Sequence, residues 1–336
     1  MKKLVMSTRQ TNRSLILLNV DLMIQYLVIL LDDTSVSFCH YVNERKERRL
    51  MPLDTLKAGI LYGMKENLNI QFVYPDYELP EEYGKVIEST DHSKIKPASM
   101  AEEADVVVIN GLAEAGGVTG RDGTAYVLRL TKEEMFAGRG AITSMLENAG
   151  RLNIVLTDVN TFTDDDFKKY GQALDELSED VERMYTEGKT PQLNILTDRM
   201  MLDKMNNCGA GDTTVTLAPD GHFYVCPAFY LCADGYAVGS LDGGLDIKNA
   251  QLYRLDHAPL CRRCDAYQCR RCVWLNRKTT LEVNTPSHEQ CVMAHIERNA
   301  ARGLLTKIRT HGTFMPDRVE IKEIDYLDPF DVKEKW

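Results

Sequence analysis

The sequence CRRCDAYQCRRC, residues 261–272, holds two Cys-x-x-Cys pairs with four residues between them. Such a turn lets two thiolates converge on one metal centre, because the intervening residues reverse the chain and their amides can hydrogen-bond to sulfur. Four further cysteines lie on either side, at Cys208, Cys226, Cys232 and Cys291. Because no convincing secretory signal is present, this clustering favours metal ligation over disulfides, and eight cysteines suffice for two four-ligand sites.

Structural zinc is the main alternative to an iron–sulfur cluster. Cys-x-x-Cys pairs ligate zinc equally well, and Cys291 with His295 could add a further pair. However, a zinc ribbon usually separates its two pairs by about 15 to 20 residues, and the gap of four residues here suits a compact cluster-binding run better. Flanking arginines would offset the charge of a thiolate-ligated cluster, or help a zinc knuckle to bind RNA; they are Arg262, Arg263, Arg270 and Arg271.

The part of the chain before the cysteines has the pattern of a parallel α/β fold. From residue 26 to about residue 205, short β-rich apolar runs alternate with longer amphipathic segments. Strands are predicted at residues 26–31, 70–75, 106–112, 126–130, 153–159 and 193–198, and helices at residues 53–65, 81–87, 132–148 and 164–185. The pattern fits either an open doubly wound sheet or an incomplete barrel. A further helix is predicted at residues 288–302.

Composition and charge narrow the classes of partner. The chain has 336 residues, 44% of them apolar, and a net charge of −10, which opposes a polyanionic partner such as nucleic acid. The apolar stretch at residues 15–31 is interrupted by polar side chains and is followed by no small-residue cleavage site. We therefore expect a cytoplasmic protein with no membrane segment, and interpret residues 1–22 as an N-terminal extension.

The run CGAGDTTVTLAPDGHFYVCP, residues 208–227, followed by the later cysteines, resembles the SPASM domain of radical-SAM peptide-modifying enzymes. The resemblance covers about residues 205–300 and implies two auxiliary [4Fe-4S] clusters. For the first cluster it implies Cys208, Cys226 and Cys272 as ligands, with Cys232 as the candidate fourth. For the second it implies Cys261, Cys264, Cys269 and Cys291. The spacing from Cys264 to Cys272 departs slightly from the usual pattern, so the allocation of Cys269 and Cys272 between the clusters stays open.

In that family the SPASM domain follows a partial (β/α)6 barrel, whose first strand leads into a CxxxCxxC motif that binds a cluster and S-adenosylmethionine. The segment LDDTSVSFCHY, residues 31–41, occupies this place and puts Asp32, Val36 and Cys39 at the three cysteine positions. Since two ligands are missing, the resemblance implies a degenerate radical-SAM protein in which S-adenosylmethionine binding is doubtful. An active enzyme with a different donor arrangement remains the alternative.

The whole chain is similar to CXXX repeat peptide maturases. This resemblance implies a maturation factor for a ribosomally synthesised cysteine-repeat peptide, with the precursor peptide as substrate and a radical-SAM enzyme or electron donor as a further partner. Cys39 ends the first strand, where α/β barrels build their sites, and is therefore a candidate catalytic nucleophile, with an inert thiol as the alternative.

The predicted organisation has four parts: an extension (1–22), a radical-SAM-like α/β barrel (23–205), a SPASM domain with little regular structure (206–305) and a tail (306–336). The competing function is a non-catalytic zinc-binding module that recognises peptide or RNA.

Overall fold

The computed structural model describes residues 24–121, 123–233, 235–318 and 320–321, so the predicted extension at residues 1–22 lies outside it. The strands are β1 Tyr26–Leu30, β2 Asn69–Val73, β3 His92–Pro97, β4 Val106–Asn110, β5 Ala125–Leu130, β6 Arg151–Leu156, β7 Gln192–Leu193, β8 Thr214–Leu217, β9 Phe223–Tyr224, β10 Gly239–Ser240 and β11 Gly244–Leu245. The helices are α1 Leu53–Lys65, α2 Glu81–Ile87, α3 Gly111–Ala115, α4 Lys132–Ala137, α5 Arg139–Asn148, α6 Asp164–Thr186, α7 Thr197–Met201, α8 Pro227–Leu231, α9 Val273–Thr280 and α10 His288–Thr310.

Nine strands form one sheet in the order β7-β6-β5-β4-β3-β2-β1-β8-β9. Strands β1 to β7 are neighbours in chain order and parallel, with helices in most of the connections, as in a partial α/β barrel. On the other side of β1, β8 pairs in parallel with it, and β9 turns back antiparallel to β8. The predicted fold class is confirmed. The hairpin formed by β8 and β9, the first in the cysteine-rich region, thus extends the sheet of the barrel.

The central strand β1 separates two apolar cores. Leu27 and Ile29 pack on one face with residues of α1, whereas Val28 and Leu30 pack on the other. The second face shares its core with Trp274 of α9. Alternate side chains of β1 are therefore buried on both faces, as its continuous apolar sequence predicts.

Several elements differ from the sequence predictions. Strand β3 was not predicted because its sequence, HSKIKP, is polar, and Lys94 within it forms an ion pair with Glu88. The predicted helix at residues 132–148 is interrupted at Gly138. Of the predicted strand at residues 193–198, only residue 193 lies in a strand; a turn follows at residues 194–196, and α7 begins at Thr197. Helix α10 continues to Thr310, past the domain limit predicted at residue 305; the domain limits themselves stay predictions. In the described ranges, no helix has both the length and the apolar character needed to cross a membrane.

Candidate metal centres

The loop after β1, residues 31–49, lies against the cysteine-rich region. The Asp33 carboxylate accepts a hydrogen bond from the Tyr230 hydroxyl, and Arg49 Nε lies 3.0 Å from Asp33 Oδ2. The rings of Tyr41 and Trp274 meet edge to face, with centroids 6.3 Å apart. These contacts fix the loop against α8 and α9.

Two barrel strands hold the middle of this loop. Arg129 of β5 is 8% exposed, and its guanidinium donates to the carbonyl oxygens of Cys39 (3.0 Å) and Tyr41. At the end of β6, the Leu156 carbonyl oxygen lies 2.8 Å from His40 Nδ1. Burial lowers the pKa of His40, which favours a neutral imidazole. Residues 39–41 are thus anchored by hydrogen bonds on both sides.

Cys39, Cys226 and Cys272 lie near one another and near Cys208, and we call these four residues the first cysteine group. Burial raises the pKa of Cys39 to about 12, and the neighbouring Cys208 contributes further. Burial also raises the pKa of Cys226, followed by the charges of Cys272, Cys208 and Cys39. The pKa of Cys272 is raised by burial, then by Cys208, with a smaller contribution from Cys39. Metal binding would have to displace these protons.

Two buried polar groups beside the first cysteine group have no hydrogen-bond partner among the residues that the structure describes: the Tyr41 hydroxyl and the Trp274 indole N–H. Burial raises the pKa of Tyr41, and the charges of Cys39 and Cys226 contribute, so its hydroxyl lies near the thiols. Buried donors are seldom left unsatisfied in proteins. Both groups fit a bound species that accepts hydrogen bonds, as the sulfur atoms of an iron–sulfur cluster do.

Cys232, the predicted fourth ligand of the first cluster, is buried at the end of α8. Its thiol donates to the carbonyl oxygen of Val42 at 3.3 Å. Its role as a ligand stays a prediction.

The second cysteine group consists of Cys261, Cys264, Cys269 and Cys291, which line one cavity of about 250 Å³. The chain reverses within the first Cys-x-x-Cys pair, where the backbone N–H of Cys264 donates to the Cys261 carbonyl at 3.0 Å. The Ala266 N–H donates to Cys264 Sγ at 3.4 Å, so this amide-to-sulfur bond comes from a residue after the pair and not from one between its cysteines. Burial raises the pKa of Cys269 to about 12 and that of Cys261 to about 11.

Arg271 provides a positive charge at this cavity. It is 3% exposed; its Nη2 donates to the Tyr253 carbonyl, while Nε and Nη1 have no partner in the described part of the chain. Its charge lowers the pKa of Cys261 against the effect of burial. A buried, incompletely paired guanidinium is costly, and a thiolate-ligated cluster in the cavity would supply the missing negative charge. The donor set and this charge therefore fit an iron–sulfur cluster.

A histidine side chain, that of His295, also lies beside the second group. His295 Nε2 lies 3.7 Å from Cys264 Sγ, and its Nδ1 lies 2.8 Å from the Cys291 carbonyl oxygen. Mixed nitrogen and sulfur ligands are typical of zinc sites. As placed, the described residues include no set of three or more His, Cys, Asp or Glu side chains that could hold a single metal ion.

The positions of the radical-SAM motif do not fit a three-cysteine cluster. Asp32 is fully buried, and its carboxylate accepts hydrogen bonds from the Thr34 N–H at 2.7 Å and the Tyr77 hydroxyl at 2.8 Å. Val36 has no side-chain donor atom, and Cys39 lies within the first cysteine group. The end of β1 thus holds hydrogen bonds where the motif would hold sulfur ligands.

Sequence reasoning did not find Arg129, Tyr41 or Trp274. A single arginine within the apolar run YVLRL was the available signal for Arg129, since a lone charge in a buried strand requires partners. The aromatic pair had no signal, because Tyr41 and Trp274 are far apart in sequence.

Neither a protein-family model nor a curated protein matches this chain. Solved structures of the anaerobic sulfatase-maturating enzyme anSMEcpe, a SPASM-domain radical SAM enzyme, do resemble it. With bound AdoMet and Cp18Cys peptide, that enzyme is 13% identical, with a TM-score of 0.54 over 85% of this chain and 99% of that chain. With bound AdoMet and Kp18Cys peptide the TM-score is 0.55 at the same identity and coverage. At this identity the likeness establishes the fold alone: the chain folds as anSMEcpe does.

Proposed function

We propose that this chain is a maturation factor for a ribosomally synthesised cysteine-repeat (CXXX) peptide and binds two auxiliary [4Fe-4S] clusters. The observation that carries the proposal is the cavity shared by the four cysteines of the second group, with the buried Arg271 beside it. The other cluster belongs at Cys208, Cys226 and Cys272. Such clusters supply electron transfer when bound.

The barrel is proposed to bind the precursor peptide without radical-SAM chemistry of its own. Support comes from Asp32 and Val36, which stand at two of the three motif positions and are not cysteines. The solved structures of anSMEcpe with bound Cp18Cys or Kp18Cys peptide support a peptide as the ligand class. A partner radical-SAM enzyme or an electron donor would complete the system, in the cytoplasm.

Binding of the precursor tests this proposal. Anaerobically purified protein is titrated into a fluorescently labelled precursor peptide, and the matched control is the same peptide with serine at every repeat cysteine. We expect at least about tenfold tighter binding of the cysteine peptide, equivalent to about 1.4 kcal/mol. Equal affinity for both peptides would contradict the cysteine-repeat substrate. Binding of neither peptide would contradict the role in maturation.

A zinc-binding interaction module is the second candidate function. It is favoured by one observation, the contact of His295 with Cys264 at the cavity of the second group. This candidate predicts a colourless protein with stoichiometric zinc, and binding of peptide or RNA that does not respond to reduction or oxidation.

A further inference from the structure

We infer that Cys39 is the fourth ligand of the cluster held by Cys208, Cys226 and Cys272. The inference rests on the proposed iron–sulfur clusters and names one ligand of the first. Cys39 belongs to the loop after β1, whereas the other three ligands belong to the cysteine-rich region. A ligand role is an alternative to the nucleophilic role that its sequence position predicts.

The aromatic contact between the two regions brings Cys39 towards Cys272. Tyr41 follows Cys39 by two residues, and Trp274 follows Cys272 by two residues, and these two rings are in edge-to-face contact. Arg129 holds the carbonyl groups of both Cys39 and Tyr41, so the loop has little freedom to carry its thiol elsewhere. Cys39, Cys226 and Cys272 also pack against the same apolar core.

The two unpartnered donors, the Tyr41 hydroxyl and the Trp274 indole N–H, belong to the two rings that make this contact. One donor comes from the β1 loop and the other from the helix that begins after Cys272. A cluster bound between Cys39 and Cys272 would give both donors sulfur acceptors. This is an observation separate from the positions of the cysteines, and it points to a ligand in the same place.

Charge also favours Cys39 as a thiolate in this position. The Arg129 guanidinium donates to the Cys39 carbonyl oxygen at 3.0 Å, so a positive charge lies beside this residue. That charge would help to neutralise a cluster ligated by Cys39. The Cys232 thiol, in contrast, donates a hydrogen bond to the Val42 carbonyl oxygen at 3.3 Å, and ligation of a metal by Cys232 would break that bond.

The test compares Cys39→Ala with Cys232→Ala in the full chain, purified anaerobically, by iron and sulfide analysis and electron paramagnetic resonance of the reduced protein. We expect Cys232→Ala to keep about eight irons and the wild-type spectrum, and Cys39→Ala to keep about four irons and only the signal of the second cluster. The retained second signal shows that Cys39→Ala is folded.

A conservative variant, Cys39→Ser, covers the case in which Cys39→Ala does not fold. Oxygen ligation by serine is expected to change the signal of the first cluster and leave that of the second unchanged. An unchanged spectrum and iron content in either Cys39 variant would overturn the inference. Loss of the first cluster in Cys232→Ala together with its retention in Cys39→Ala would assign the ligand role to Cys232. Absence of iron from the wild-type protein would instead refute the proposed function, so failure of the inference and failure of the proposed function give different results.

Discussion

The two cysteine groups are assembled in different ways. The second group comes from one segment, residues 261–291, whose turns bring four thiols around a single cavity. The first group combines Cys39 of the β1 loop with three cysteines of the cysteine-rich region, which are themselves spread from Cys208 to Cys272. The β1 loop must therefore be anchored against the cysteine-rich region. We therefore expect the second centre to depend on local sequence and the first on the barrel.

Loss of one ligand gives the largest expected effect and tests whether the groups are independent. Cys269→Ala is expected to remove about four of about eight irons and leave the signal of the first cluster intact, because the second group shares no ligand with the first. Cys208→Ala is the matched variant and should remove the other four. Iron analysis with electron paramagnetic resonance checks both. Simultaneous loss of both signals in either variant would contradict two separate centres.

Removal of the arginine that holds the β1 loop should affect the first centre more than the second. Arg129→Met leaves the buried carbonyl groups of Cys39 and Tyr41 without their donor. We expect a loss of about 3 kcal/mol in the free energy of unfolding, since each unsatisfied buried acceptor costs about 1–3 kcal/mol. Anaerobic urea unfolding measures this, and iron analysis should show the first cluster depleted.

Arg139→Met is the control for that variant, because Arg139 makes its ion pairs on the half-exposed surface between α5 and α6. Exposed pairs contribute about 0–1 kcal/mol. A similar loss of stability in both variants, or equal depletion of both clusters in Arg129→Met, would show that the β1 loop does not support the first centre specifically.

A half-buried carboxylate, that of Glu297, should make stability depend on pH. Burial raises the pKa of Glu297 to about 7, although the Tyr170 hydroxyl donates to its Oε1 at 2.7 Å. The folded protein then binds more protons than the unfolded chain between about pH 4.5 and 7, so stability falls as pH rises through this range. Glu297→Gln should remove about 2 kcal/mol of this decline between pH 5 and pH 8.

Urea unfolding at the two pH values provides the measurement for Glu297→Gln. Glu66→Gln, at an exposed site after α1, is the control and should leave the pH profile unchanged. If Glu297→Gln followed the wild-type profile, the pKa of this carboxyl would not be raised in the folded protein.

The smallest expected effect concerns the charge beside the second group. Arg271→Gln should lower the reduction potential of the second cluster by roughly 50–100 mV. The reduced cluster carries more negative charge than the oxidised one, so the loss of a nearby cation destabilises it more, by about 1–2 kcal/mol at an effective dielectric constant of about 20. The potential of the first cluster should stay unchanged. A redox titration followed by electron paramagnetic resonance distinguishes the two, and an equal shift of both would contradict the placement of Arg271.

The difference between the two groups also explains what the sequence could predict. Short-range spacing identified the cysteines of residues 261–272 as candidate ligands, because Cys-x-x-Cys turns are local structures. Their division into two groups, with Cys291 in the second, was implied only by the resemblance to the SPASM domain. The proximity of Cys39 to Cys226 and Cys272 depends on how the β1 loop packs across the barrel, and no periodicity in the sequence reports that. Strand β3 was missed because buried strands are recognised in a sequence by an apolar run, and β3 has none. Its Lys94 is instead stabilised by an ion pair with Glu88, which lies outside the strand.

The barrel was predictable where each strand follows a simple rule. Strands β1 and β4 are apolar over nearly their whole length, as a covered parallel sheet requires, whereas β2 and β6 bury mainly one face; all of them, with β5, were predicted close to their observed bounds. The division of one predicted helix at Gly138 was not foreseen because the apolar spacing continues across it. A Cβ at this position would lie 2.5 Å from the Glu134 carbonyl oxygen, which leaves no room for a side chain.

The most direct test of the central claim is the content of iron, sulfide and zinc per chain, measured with the visible spectrum on protein purified without exposure to air. Two [4Fe-4S] clusters predict about eight irons, about eight sulfides and a brown thiolate-to-iron absorption. About twelve irons would mean a third cluster and would contradict the loss of the radical-SAM site. One or two zinc ions without iron would contradict the account and leave a zinc-stabilised binding protein.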